Sequence, residues 1–156
     1  MSELTDEMKA KIREHFGHYP TKQAVTLPAL HMVQDAQRCV SNKAIEEIAE
    51  MLELAPAQIN DTLSFYGYFR TEESPIGEKR VWICRSLPCM LRGGEELLAE
   101  LCQRWEIQPG QTTPDGKVTL ELAECLGACD GAPCMLLGDE LSLHMTADSV
   151  EELVKG

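Results

Sequence analysis

The stretch RVWICRSLPCMLRGG, residues 80–94, decides how the second half of the chain folds. Its first four residues, RVWI at 80–83, have the composition of a buried β-strand, and this strand ends at Cys84. The glycine pair at 93–94 permits a tight turn, and residues 95–105 then repeat apolar side chains at helical spacing. The stretch therefore predicts a strand, a cysteine-bearing loop and a helix.

The rest of the second half predicts two further strand regions and a last helix. Residues 117–122 alternate apolar and polar side chains, as a half-buried strand does. Residues 135–137 and 141–143 predict a hairpin, and Thr146 can cap a final helix. The resulting order is β-α-β-β-α, which is the order of a thioredoxin-like domain with helices on a short mixed sheet.

The first half predicts helices only. Apolar residues recur at helical spacing from the charged opening segment, which ends near Phe16, to Leu63. Pro28 suits a first helical turn, Ser41 can cap the next helix, and Pro56 can open a fourth. We expect these helices to form a bundle.

A polar segment with both proline and glycine, residues 71–79, separates the two halves. We therefore predict a helical bundle domain at 1–70, a linker at 71–79 and a thioredoxin-like domain at 80–156. The fold class is α+β. The FYGYF segment at 65–69 is a dense aromatic group in a chain with 5% aromatic residues. We expect it to pack in the core, and the alternative is a surface that docks a partner.

Composition excludes several classes of function. The chain has 156 residues with 26 acidic and 14 basic side chains, so its net charge of -12 repels phosphate backbones and anionic lipids. We expect protein partners, no nucleic acid and no direct membrane insertion, because no run of apolar residues is long enough to span a bilayer. The chain opens without the pattern of a secretory signal, so we expect a cytoplasmic protein. Seven cysteines then favour metal ligands and buried thiols over disulfides.

Two close cysteine pairs follow the two predicted strands of the second half: Cys84 with Cys89, and Cys125 with Cys129. Loops at strand ends hold side chains in fixed positions, so four thiolates can surround one centre. A [2Fe-2S] cluster needs two thiolates for each iron, and a structural zinc site also takes four. A disulfide oxidoreductase fits less well, because it usually has two cysteines separated by two residues. Cys134 follows Cys129 at the spacing of the first pair, so it is an alternative ligand, although we expect it in a buried strand.

Several motifs are more specific than the cysteine spacing: YP (19–20), LPAL (27–30), SFY (64–66), CRSLPCMLR (84–92), GQTTPDG (110–116), ECLGAC (124–129) and AP (132–133). Together they resemble the thioredoxin-like [2Fe-2S] ferredoxins over nearly the whole chain. The resemblance is strongest to the members that serve NADH-quinone oxidoreductase, respiratory complex I. It departs from the family at RCV (38–40) and at Cys134, where the family usually lacks cysteine.

The resemblance implies that Cys84, Cys89, Cys125 and Cys129 ligate one [2Fe-2S] cluster. The cluster would exchange electrons with the FMN of a partner subunit that oxidises NADH, so this chain would have no flavin and no catalytic residue of its own. It would belong to a larger respiratory complex, in a peripheral arm attached to the inner face of the cell membrane. The alternative is the same role in the diaphorase part of an NAD-linked hydrogenase or formate dehydrogenase.

Overall fold

Capping residues and short breaks define the helices of the first half. In the computed structural model, which describes residues 3–155, the Ser41 hydroxyl accepts the N–H of Ala44 at 3.0 Å, and Pro56 opens the fourth helix. Both predicted helix starts are therefore confirmed. The helices are α1 (Asp6–Glu14), α2 (Thr26–Gln37), α3 (Asn42–Leu52) and α4 (Pro56–Phe65), with 3-10 turns at His15–Gly17 and Lys22–Val25.

The inward faces of these helices bury one apolar core. Its largest fully buried apolar side chains come from the segment before α1, from every helix and from the second 3-10 turn: Leu4, Ile12, Val25, Leu30, Ile48, Leu52 and Ile59. Burial of such side chains is the main force that holds short helices together, since helices of this length are marginal in isolation. The predicted helical bundle is the structure observed.

Gln34 joins the end of α2 to the aromatic segment at 65–69. Its side chain is 2% exposed, its Nε2 donates to the carbonyl oxygen of Tyr68 at 3.1 Å, and its Oε1 accepts the N–H of Arg70 at 2.6 Å. The expectation that this segment packs in the core is right for Phe69, which is buried. It is wrong for Phe65, which is 79% exposed, and for Tyr66 and Tyr68, which are also exposed.

A four-stranded mixed sheet forms the framework of the second half. The strands are β1 (Lys79–Cys84), β2 (Val118–Ala123), β3 (Met135–Leu137) and β4 (Glu140–Ser142), and the helices are α5 (Leu87–Leu91), α6 (Gly94–Trp105) and α7 (Ala147–Lys155). The strand order is β2-β1-β3-β4. β1 and β2 are parallel, whereas β1 with β3 and β3 with β4 are antiparallel.

The α+β fold class and the predicted β-α-β-β-α order are confirmed, with one addition. The short helix α5 lies where we predicted only a loop, because five residues around a proline are too few for a helical period to be visible. Thr146 caps α7 as predicted: its Oγ1 accepts the N–H of Ser149 at 3.3 Å. Among the described residues, no helix combines the length and apolar character of a membrane span.

The chain divides into two compact units between Pro75 and Ile76, inside the segment 71–79 that we interpret as a linker. The first residue of this segment pairs with the first unit, and its last residue belongs to the sheet of the second unit. Thr71 forms a parallel bridge with Val40, and Lys79 is already the first residue of β1. The terminal residues Met1, Ser2 and Gly156 of the predicted domains lie outside the described residues.

The buried amide of Gln34 should stabilise the first unit by its two hydrogen bonds to the chain at 68–70. Gln34→Met keeps a side chain of similar length but removes both hydrogen bonds. We expect the free energy of unfolding to fall by about 1–3 kcal/mol, measured by chemical denaturation. The matched control is Gln103→Met on the exposed surface of α6. Equal stability of the two variants would contradict the role of Gln34.

Candidate metal centre

The parallel pairing of β1 with β2 brings both predicted cysteine pairs to one edge of the sheet. The register pairs Cys84 with Ala123, so the two strands end side by side. The pairing extends past the end of β1, because the N–H of Arg85 donates to the Ala123 carbonyl at 2.9 Å. Cys84 is the last residue of β1, and Cys125 follows two residues after β2. The loops of both pairs therefore begin at the same edge.

Cys89 is held by the contact between α5 and the start of α6. Both Cys84 and Cys89 are buried, at 2% and 1% exposure. Gly93 adopts φ +91°, which turns the chain into α6, and Gly94 then lies directly against Cys89. A Cβ at residue 94 would be 2.7 Å from the Cys89 carbonyl oxygen, so only glycine allows this approach.

The second pair lies in a more open loop. Cys125 and Cys129 are both exposed, and a 3-10 turn begins at Cys129. Gly127, at φ +74°, donates its N–H to the Sγ of Cys125 at 3.4 Å. This backbone donor can support negative charge on the sulfur, as N–H groups do for thiolate ligands.

Cys134 lies next to the first pair, which the sequence did not lead us to expect. It is buried, as predicted, but it directly precedes β3 instead of lying in a strand, and its Sγ is 3.6 Å from the Sγ of Cys89. The thiols of Cys84, Cys89 and Cys134 all lie within 4.8 Å of one another. The signal that could have revealed this is the position of Cys134 directly before a strand that pairs with β1.

The four predicted ligands are therefore not equivalent in the structure. Cys84 and Cys89 share a buried group with Cys134, and Cys125 and Cys129 are outside that group. Partial desolvation raises the pKa of Cys129 even though its side chain is exposed. The charge of the neighbouring Cys125 raises it further, followed by the charges of Cys89 and Cys84.

Thiols of the buried group differ in their tendency to lose a proton. Burial alone would raise the pKa of Cys84, but the backbone N–H groups of Ser86 and Leu126, together with the thiols of Cys89 and Cys134, lower it overall. Burial, the adjacent Cys89 and then Cys84 raise the pKa of Cys134 to about 12. These surroundings favour loss of a proton at Cys84 more than at Cys134.

Two acidic residues near the site, Glu121 and Glu124, each form an ion pair with an arginine. Arg80 Nε lies 2.5 Å from Glu121 Oε2 in a buried ion pair, and Arg80 also stacks on Trp82 at 4.4 Å from the ring centre. Glu124 pairs with Arg85 at the exposed rim. Because both carboxylates have a cationic partner, they add less negative charge to the site than their number suggests.

The residues present fit a thiolate-bound iron-sulfur centre. Four cysteines in two pairs lie at adjacent strand ends, and the N–H of Gly127 already points at the sulfur of Cys125. This set of donors also satisfies tetrahedral zinc. The two remaining cysteines, Cys39 and Cys102, are half-buried. Burial raises the pKa of each, with a further contribution from Glu72 at Cys39.

A family model described as thioredoxin-like [2Fe-2S] ferredoxin matches residues 12–156, and the chain belongs to this family. The family predicted from the sequence motifs is confirmed. An NAD+-reducing [NiFe]-hydrogenase, solved in its H2-reduced state, superposes with a TM-score of 0.71 and 27% identity. The superposition covers 83% of this chain and 21% of the hydrogenase chain, so the similarity concerns one part of that larger protein.

Several similar proteins are subunits of NADH-quinone oxidoreductase. One from Rhizobium meliloti is 34% identical over 95% of this chain and 87% of its own length. Its counterpart in Aquifex aeolicus is 33% identical over 88% of this chain and 85% of its own length. The counterpart in Escherichia coli is 31% identical over 98% of this chain and 91% of its own length. These similarities confirm the predicted resemblance to the family members that serve this oxidoreductase.

The contact between Gly94 and Cys89 should be necessary for a stable site. Gly94→Ala forces a methyl group against backbone atoms that cannot rotate away, so α6 must shift relative to Cys89. We expect a loss of about 1–3 kcal/mol in unfolding free energy and a lower iron content after reconstitution. The control is Gly17→Ala, where a Cβ meets nothing within 4 Å. Iron content and stability equal to those of the control would show that the contact is not required.

Proposed function

We propose that this chain is the electron-transfer subunit of an NADH-quinone oxidoreductase, with one [2Fe-2S] cluster bound by Cys84, Cys89, Cys125 and Cys129. The observation that carries the proposal is the parallel register of β1 and β2, which starts both cysteine loops at one sheet edge. When bound, the cluster supplies one-electron transfer. The chain's own residues bind it, limit its contact with water and present it to a partner.

The surface beside the site supports a protein partner. Cys89 is buried on the inner side of α5, while Leu87 and Leu91 on the same helix are 60% and 74% exposed. Apolar side chains grouped next to a functional site are typical of protein interfaces. The partner that we propose is the flavin-bearing subunit that oxidises NADH, because electrons must reach the cluster from a nearby donor. The assembly would lie in a peripheral arm at the inner face of the membrane.

A second candidate is the same role in the diaphorase part of an NAD-linked hydrogenase. The observation that favours it is the superposition with the NAD+-reducing [NiFe]-hydrogenase over most of this chain. The cluster ligands and the flavin partner would be unchanged, and only the larger assembly would differ. The sequence similarity to NADH-quinone oxidoreductase subunits over most of their length favours the first candidate.

Single Cys→Ser variants test the four ligands. The wild-type chain, purified without oxygen, should contain two iron and two acid-labile sulfide per chain. We expect Cys84→Ser, Cys89→Ser, Cys125→Ser and Cys129→Ser to lose most of the cluster, because each iron needs two thiolates. The matched control is Cys39→Ser, a half-buried thiol of the first unit, which should keep it.

Two results would contradict the ligand assignment. A colourless protein with zinc and no sulfide would make the site a structural zinc module. A normal cluster in Cys125→Ser or Cys129→Ser, combined with its loss in Cys134→Ser, would place Cys134 among the ligands.

The assembly is tested by purifying the chain with its native neighbours. We expect a flavin-bearing protein that oxidises NADH to accompany it, and replacing Leu87 and Leu91 by serine should weaken this association because apolar contact area is lost. Recovery of quinone reductase activity would support the first candidate. Recovery of hydrogenase activity would support the second, and absence of any flavin protein would contradict both.

A further inference from the structure

Cys134 is a buried thiol that the proposed ligand set does not use. Its side chain is 1% exposed, and its Sγ lies 3.6 Å from the Sγ of Cys89. The sheet holds it there: β1 pairs with β3 through Ile83 and Met135, and one residue further on the N–H of Cys84 donates to the Cys134 carbonyl at 3.2 Å. The position of Cys134 is therefore set by backbone pairing.

The surroundings of this thiol are apolar. Cys134 packs with Cys84, Cys89 and the buried Ala132, and Leu126 and Ala128 cover the group from the loop of the second pair. Water is excluded from the contact between Cys134 and Cys89, since both side chains are buried. A weak hydrogen bond gains strength in such a medium, because no solvent competes for its donor.

Only one direction is possible for a hydrogen bond between these two sulfurs once Cys89 binds iron. A sulfur bound to iron carries no proton, so it can only accept. Cys134, which is not a proposed ligand, keeps its S–H group and can donate it across the 3.6 Å contact. Hydrogen bonds to ligand sulfurs are among the features that set the reduction potential of iron-sulfur centres.

We propose that Cys134 is a positioning residue for the cluster, whose S–H group donates to the Sγ of Cys89 and raises the reduction potential. The bond is stronger when the cluster has gained an electron, because the ligand sulfur is then more negative. This inference rests on the proposed function, since it requires a cluster bound through Cys89. It assigns a function to one of the two positions at which the chain departs from the family pattern.

Redox titration of the cluster-loaded chain, followed by electron paramagnetic resonance, tests the proposal. We expect Cys134→Ala to keep full iron and sulfide. At a fixed ambient potential, the ratio of reduced to oxidised cluster in this variant should fall about twofold to fivefold, the range expected for loss of a weak hydrogen bond. This change corresponds to a midpoint about 20–40 mV lower, at 59 mV for each factor of ten. Cys134→Val, which fills more of the space but also lacks a donor, should show the same direction of shift.

Two further variants separate hydrogen bonding from packing. Cys134→Ser restores a donor and should return the potential towards the wild-type value. Cys102→Ala removes a half-buried thiol from α6 of the same unit and should leave the potential unchanged. The infrared difference between wild type and Cys134→Ala should contain one S–H stretching band, shifted to lower frequency than that of a free thiol.

The possible failures are distinguishable. Absence of iron and sulfide from the wild-type chain would defeat the proposed function. A full cluster with unchanged potential in both Cys134→Ala and Cys134→Val would leave the proposed function intact and overturn the hydrogen bond. Loss of the cluster in both variants and in Cys134→Ser would make Cys134 a ligand and would also overturn it.

Discussion

The parallel pairing of β1 with β2 is the constraint on which the rest of the second unit depends. Parallel neighbours require a crossover connection, and here α5 and α6 provide it. The same pairing makes both strands end at one edge, so the loops that follow Cys84 and Ala123 start side by side. The buried ion pair of Arg80 with Glu121 also joins these two strands. The contacts that join β1 to β2 therefore hold both the sheet and the starts of the two cysteine loops in place.

The two cysteine pairs are supported in different ways. Cys84 and Cys89 are buried between the sheet edge and the start of α6, where Gly94 allows close backbone contact. Cys125 and Cys129 are exposed on a loop, where the N–H of Gly127 donates to the sulfur of Cys125. In the proposed cluster site, this asymmetry would let the buried pair fix the metal while the exposed pair stays accessible to a redox partner.

Much of this arrangement follows from local sequence signals. The strand ends, the caps at Ser41 and Thr146, and the start of α4 at Pro56 were all predictable, because each depends on residues close together in the chain. The short helix α5 was missed because it is only five residues long. Phe65 was expected in the core, but its exposure depends on which face of α4 the other helices cover.

The sequence by itself determined the order of the elements and identified the four cysteines at strand ends, since apolar periodicity and cysteine spacing are local properties. Only the tertiary structure decided that Cys134 lies beside Cys89. Spacing along the chain relates Cys134 to Cys129, whereas the antiparallel register of β3 on β1 brings it to the first pair. Strand register is a long-range property, because the partners come from distant parts of the chain.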